Sequence, residues 1–133
     1  MNQPRKSRKE LNDISAIILD SAITVHKQLG PGLLESIYQE CLSEELRLRQ
    51  LTVQHQVPLQ LHYKGKPIKK DFFIDVLVEG EIILELKSVE ELLEVHKAQL
   101  ITYLKLSNKH LGFLINFNVP LLKDGFKRFV RDF

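Results

Sequence analysis

Residues Glu81 to Ser88 read EIILELKS, an apolar run with an acid and a base set into its second half. The isoleucines and leucines of such a run predict a buried strand. Glu85 and Lys87 are among the residue types least often buried without a partner. Side chains two apart in a strand share a face, so Ile83, Glu85 and Lys87 point one way and Leu84, Leu86 and Ser88 the other. The Glu79-Gly80 turn joins this strand to the run IKKDFFIDVLV at 68–78, which makes the two a hairpin. That second run carries its own acid, Asp75. Asp75 and Glu85 lie about equally far from the turn, so cross-strand pairing brings them close.

Outward from the hairpin, the pattern alternates between strand and helix periods. Val53, His55, Val57, Leu59, Leu61 and Tyr63 alternate as a strand does, with Pro58 marking an edge or a bulge, and Lys64 to Pro67 form a turn. On the N-terminal side, Leu11, Ile14, Ile18, Ala22, Val25 and Leu29 recur at helical gaps until Gly30-Pro31-Gly32 breaks the run. A second helix is expected from Leu33 to about Arg49. On the C-terminal side, a helix is expected over about 91–106 and a buried strand over 111–117. Phe126 to Val130 reads equally as a short strand or a last helical turn. The order is α-α-β-β-β-α-β, an α/β or α+β domain around one sheet.

The chain has 133 residues, enough for one domain with one core, expected over 10–133 behind a disordered basic tail at 1–9. An apolar fraction of 44% and a charged fraction of 27% are ordinary for a globular domain. No run of apolar residues is long enough to span a bilayer, so no membrane association is expected. The charges of MNQPRKSRKE are not followed by an apolar segment, which argues against a secretory signal. With a single cysteine, Cys41, no internal disulfide forms, and a cytoplasmic location is the expectation. A net charge of +2 does not announce nucleic-acid binding. Two basic clusters, Arg5 to Lys9 and Lys123 to Arg131, are candidate phosphate contacts or simply solvated surface.

The chemistry centres on the hairpin. Two carboxylates held together repel one another and lose solvation, and a divalent cation resolves both problems. Oxygen ligands at a hairpin end suit Mg²⁺, with Mn²⁺ as a substitute. Beside such an ion, Lys87 is suited to orienting an attacking water and stabilising developing negative charge. The competing structural reading is a plain acid–lysine ion pair on a half-exposed sheet face. The five histidines fall on different elements and show no zinc spacing. Gly30-Pro31-Gly32 lacks the lysine and the preceding strand of a phosphate loop.

The segment GPGLLESIYQECL resembles the family named for its GxxExxY motif, here Gly32, Glu35 and Tyr38, and the likeness runs from about Leu11 to Val130. That family belongs to the PD-(D/E)XK nuclease-like superfamily. The resemblance implies a restriction-endonuclease-like core of αβββαβ order, with a central mixed sheet of four or five strands flanked by helices. It matches Asp75 to the first acid of that signature and Glu85-Leu86-Lys87 to its (D/E)XK half, with Ile74 where the name has proline. It implies that Asp75, Glu85, the Leu86 carbonyl and Glu35 bind the metal, and that Glu35, Asp75, Glu85 and Lys87 form the catalytic set. Gln99 and Tyr103, four apart on one helix face, resemble the Q-x-x-x-Y element that contacts substrate in some of these nucleases. Ordinary first-turn placement accounts for Glu35 as well, and ordinary packing for Tyr103.

Two readings follow. One is a Mg²⁺-dependent nuclease hydrolysing phosphodiester bonds of DNA, with RNA less favoured. The other is a catalytically inactive module of the same fold that binds nucleic acid or oligomerises. A homodimer is one way for so small a domain to grip a duplex.

Overall fold

The computed structural model describes residues 5–133, apart from the side chains of Lys70 and Asp71. Among them, three α-helices flank a five-stranded sheet. The elements are α1 (Arg8–Leu29), α2 (Glu35–Leu48), β1 (Val53–Tyr63), β2 (Lys66–Val78), β3 (Ile82–Lys87), α3 (Glu94–Ser107), β4 (Leu111–Asn116), a 3-10 turn (Leu122–Gly125) and β5 (Phe126–Val130). The strands lie in chain order, with only β3 and β4 parallel. The long crossover between those two carries α3, as a parallel pair requires. From α2 to β4 this is the expected αβββαβ order.

Several boundaries differ from the periodicity. Helix α1 begins at Arg8, inside the stretch expected to be a disordered tail; residues 1–4 of that stretch lie outside the described residues. The cause is a capping box: the Ser7 hydroxyl accepts from the Glu10 N–H, and the Glu10 carboxylate accepts from the Ser7 N–H. Helix α2 begins at Glu35 rather than Leu33, because Leu33 and Leu34 remain in the extended connection. Strand β2 begins at Lys66, two residues before the apolar run, and α3 at Glu94 rather than Glu91. Phe126 to Val130 is a strand, paired antiparallel with β4.

The core has two layers, because both faces of the sheet are covered. Leu11, Ile14, Ile18, Ala22 and Val25 of α1 join Tyr38, Leu42 and Leu46 of α2 over Leu84, Leu86, Phe113 and Ile115. On the opposite face Leu100, Tyr103 and Leu104 of α3 pack on Ile74, Ile83 and Leu114. Burial from both sides explains why β3 and β4 read as continuous apolar runs. Gly125, beside this core, has no room for a side chain: a Cβ there would overlap the Asn116 carbonyl oxygen. None of the described helices is long and apolar enough to cross a membrane.

Candidate active site

The residues of the GPG connection position the start of α2. Gly30 and Gly32 have φ of +76° and +96°, a left-handed region open to glycine at low cost. Tyr38, fully buried and stacked on Phe117 at 4.4 Å, reaches back into this loop. Its hydroxyl donates to the Gly30 carbonyl at 2.6 Å and accepts from the Leu33 N–H at 3.1 Å. The Ser88 hydroxyl, at the far end of β3, donates to the Leu33 carbonyl at 2.6 Å. These bonds tie the first turn of α2, with Glu35, to the end of the strand that carries Lys87.

The β2–β3 hairpin turns at Glu79 and Gly80, both at positive φ (53° and 67°), as a type I′ turn demands. Its ladder runs through Val78↔Ile82 and Leu77↔Ile83 to Val76↔Leu84. The next residues, Asp75 and Glu85, fall opposite one another, and here the ladder ends. Side chains take over its hydrogen bonds. The Asp75 N–H donates to Glu85 Oε1 at 3.3 Å, and the Leu86 N–H donates to Asp75 Oδ2 at 2.9 Å. On its other side Asp75 also interrupts the ladder to β1, which pairs His55↔Val76 and Val57↔Ile74 but not the residues between. Gln56, the residue skipped, has φ +51°. The Asp75 carbonyl accepts instead from Gln39 Nε2 at 3.1 Å, and Gln39 Oε1 accepts from Gln56 Nε2 at 3.2 Å. Asp75 therefore sits at a fork in the sheet, held by the side chains of Gln39 from α2 and Glu85 from β3, with Gln56 of β1 bracing Gln39.

Glu85 is only 4% exposed, on the face that α3 covers. Burial, then the adjacent Asp75 charge and carboxyl, push its carboxyl up to about 9, against smaller opposing effects from the Asp75 backbone N–H and Lys87. At neutral pH this pair therefore holds a proton unless a cation replaces it. No ion pair joins Lys87 to either acid among the described residues, which removes the plain ion-pair account of the E-x-K triplet. Lys87 is half-buried at the end of β3, where Asn116 is its β4 neighbour. Asn116, itself buried, clamps the following loop by bonding both the N–H and the carbonyl of Val89.

The remaining expected residues divide. Glu35 lines one cleft with Ser36, Gln39, Gln56, Asp75 and Leu86, so α2 and the fork share a surface. Glu85 does not line that cleft. Among the described residues no three carboxylate, imidazole or thiol groups converge on one point, so Asp75 and Glu85 form a pair with Glu35 across the cleft. Gln99 and Tyr103 do meet, Gln99 Nε2 donating to the Tyr103 hydroxyl at 3.1 Å. Tyr103 packs on the sheet face that carries Ile83, and burial and the Glu85 charge raise its phenol above its ordinary value. Tyr103 is 7% exposed and meets Phe72 of β2 edge-on, so of the two only Gln99 is open to a ligand.

The donor set fits a divalent cation. Two adjacent carboxyls whose like charges conflict, with the backbone of Leu86 on the β2-facing edge of its strand, offer the hard oxygen donors that Mg²⁺ takes. Gln39 escaped the sequence reading, although its place four residues after Glu35 put it on the same helical face. Gln56 carried no such signal, since its role comes from the break in the ladder.

A family model described as the PD-(D/E)XK nuclease superfamily matches residues 12–129, nearly the whole chain. The mixed sheet and the element order agree with the restriction-endonuclease-like fold of that superfamily. No curated protein and no solved structure matches the chain at a significant level.

Proposed function

The chain belongs to the PD-(D/E)XK nuclease superfamily, and on that premise we propose that it is a Mg²⁺-dependent nuclease that hydrolyses phosphodiester bonds of DNA, with RNA the less favoured substrate. The observation that carries this reading is the fork itself. It holds Asp75 beside Glu85 where β2 and β3 part, with Lys87 two residues along the same strand face. The Gly32, Glu35 and Tyr38 pattern of the GxxExxY family supports the same assignment.

Asp75, Glu85 and the Leu86 carbonyl would hold the ion, with Glu35 reaching it from across the cleft. A bound Mg²⁺ supplies charge neutralisation and Lewis acidity at the scissile phosphate. The chain's own groups do the rest. The Lys87 ammonium orients the attacking water and stabilises the negative charge that builds on the phosphoryl oxygens. The Asp75 carboxylate keeps its orientation because Leu86 N–H donates to one oxygen. Gln99, at the exposed end of its bond to Tyr103, contacts the substrate strand.

The second reading, a module that keeps the fold and binds nucleic acid or a second copy without cutting, draws on the distance of Glu35 from the acid pair. A cleavage assay decides between them. Single- and double-stranded DNA and RNA are incubated with Mg²⁺, Mn²⁺ or EDTA, beside the Lys87→Ala protein. Metal-dependent cutting that Lys87→Ala loses supports the nuclease; intact substrates in every arm reject it.

A further inference from the structure

Strand β2 pairs with β3 only over Val76 to Val78, whereas its pairing with β1 runs on to Tyr63↔Lys66. Beyond the fork at Asp75, β1 and β2 therefore form a two-stranded ribbon that leaves the sheet. Eight residue-to-residue steps lead from Ile74 to Lys66, so at about 3.3 Å each the ribbon extends roughly 25 Å. Its root is anchored, because Val57, Leu59 and Phe72 pack against the α3 layer. Its outer half is not: His62, Tyr63, Lys64, Gly65, Lys66, Pro67 and Lys69 are all exposed.

The charge on this ribbon is mostly positive. Lys64, Lys66, Lys69 and Lys70 fall within seven residues, and Asp71 is the one acid of the sequence from Leu51 to Ile74. Among the described residues no ion pair involves Lys64, Lys66 or Lys69, although Lys6, Lys9 and Lys97 are each paired with an acid. The C-terminal basic cluster is different in kind. Arg128 donates to Asn12 Oδ1 at 3.0 Å and lies over the Phe133 ring, and Arg131 donates to Asn108 Oδ1 at 3.3 Å. Those arginines are tied to other elements of the fold, whereas the one described contact of the ribbon lysines is local, Lys64 over the neighbouring Tyr63 ring.

We infer that the β1–β2 ribbon is a duplex-gripping arm, which lays Lys64, Lys66 and Lys69 against the phosphates bordering the major groove of B-form DNA while its root delivers the strand to the fork. The major groove of B-DNA, about 12 Å wide, admits a two-stranded β-ribbon. The deep, narrow major groove of A-form RNA does not. A reach of roughly 25 Å covers about seven base-pair steps at 3.4 Å each. Lysine on unpaired strand edges also prevents edge-to-edge aggregation, and the test separates the two roles. The inference rests on the nuclease reading only in taking a nucleic acid as the partner.

The test is fluorescence anisotropy of a short labelled DNA duplex in EDTA, over a salt series. It compares the wild type with the Lys64→Glu/Lys66→Glu/Lys69→Glu variant, with its Gln counterpart, and with Lys123→Glu/Lys127→Glu as a charge control. Melting curves establish that each variant is folded. Three lost phosphate contacts make the slope of log K against log salt less negative by about 2 to 3. The same loss weakens binding at least tenfold at about 0.1 M salt, while the control changes little. The Glu variant keeps charged edges, so edge protection alone predicts wild-type binding. Wild-type affinity in the ribbon variants, equal loss in the control, no binding by the wild type, or a preference for duplex RNA or single strands would each overturn the inference. Ribbon-dependent binding without cleavage in the Mg²⁺ assay would overturn the nuclease reading alone.

Discussion

The backbone N–H of Asp75 points at the carboxylate of Glu85, 3.3 Å from Oε1, at the residue where the ladder between their strands stops. Each acid thus replaces a backbone bond that the parting strands no longer make to each other. This explains why an apolar hairpin tolerates two acids, and it makes their ionisation a property of the fold.

The first prediction follows from the direction of the Glu85 shift. Burial, and then the adjacent Asp75 charge, push its folded carboxyl up to about 9 from an ordinary value of 4.5. Between those values the folded state holds a proton that the unfolded state has released. Stability in EDTA is therefore greatest below about pH 4.5 as far as Glu85 is concerned, and falls as pH rises toward 9, by up to about 1.4 kcal/mol per pH unit. Glu85→Gln should flatten that slope and raise Tm at pH 8 in EDTA. Mg²⁺ or Mn²⁺ should stabilise the wild type most at high pH and the variant little. Thermal melts of both proteins from pH 5 to 9, with and without metal, measure this; parallel pH profiles would refute it.

Lys87→Ala should cost about 10²–10³-fold in cleavage rate, the usual effect of removing one group that stabilises developing charge. No described ion pair is lost, so Tm should change little. A folded variant cutting at the wild-type rate would remove Lys87 from the mechanism.

Gln39 does not need to touch the substrate to matter. Its amide holds the Asp75 carbonyl and braces Gln56. Gln39→Glu keeps the side-chain volume but removes the donor. Loss of such an outer partner should weaken Mn²⁺ binding about 10-fold or more, read by calorimetric titration in the absence of substrate. Unchanged Mn²⁺ affinity would leave Gln39 as a surface residue.

Tyr38→Phe isolates the loop bonds from the stacking on Phe117. The variant leaves the half-buried Leu33 N–H and Gly30 carbonyl without their shared hydroxyl, at about 1 kcal/mol or more for a lost hydrogen bond with partly unmet groups. Tm should drop by several degrees, and amide exchange at Leu33 should accelerate. A Tm equal to wild type would mean that the hydroxyl does not hold the GPG loop.

Gly125→Ala forces a Cβ onto the Asn116 carbonyl oxygen. That backbone cannot give way without disturbing the Val89 clamp, so the variant should be among the most destabilised single changes. Melting temperature and soluble yield report it; a neutral outcome would show that the turn relaxes freely.

Local periodicity was enough to find all three helices, and the four strands that cross or carry the site, because each buries a regular apolar face whose spacing is written in the chain. The turn between β2 and β3, and with it the register opposing Asp75 to Glu85, followed from one glutamate–glycine pair. Other features were beyond that reach. The start of α1 depended on a cap that outweighs a polar, basic stretch, and β5 on a partner strand supplied by β4. Whether Glu35 meets the acid pair, and which face Tyr103 takes, depend on how α2 and α3 seat on opposite sides of the sheet. Above all, the fork at Asp75 exists only because β3 leaves β2 while β1 stays. Such a parting leaves no mark in periodicity, since β2 is continuously apolar on both sides of it, Phe72 to Ile74 and Val76 to Val78. Only the packed sheet decides which backbone groups are left for the side chains of Gln39, Asp75 and Glu85 to satisfy.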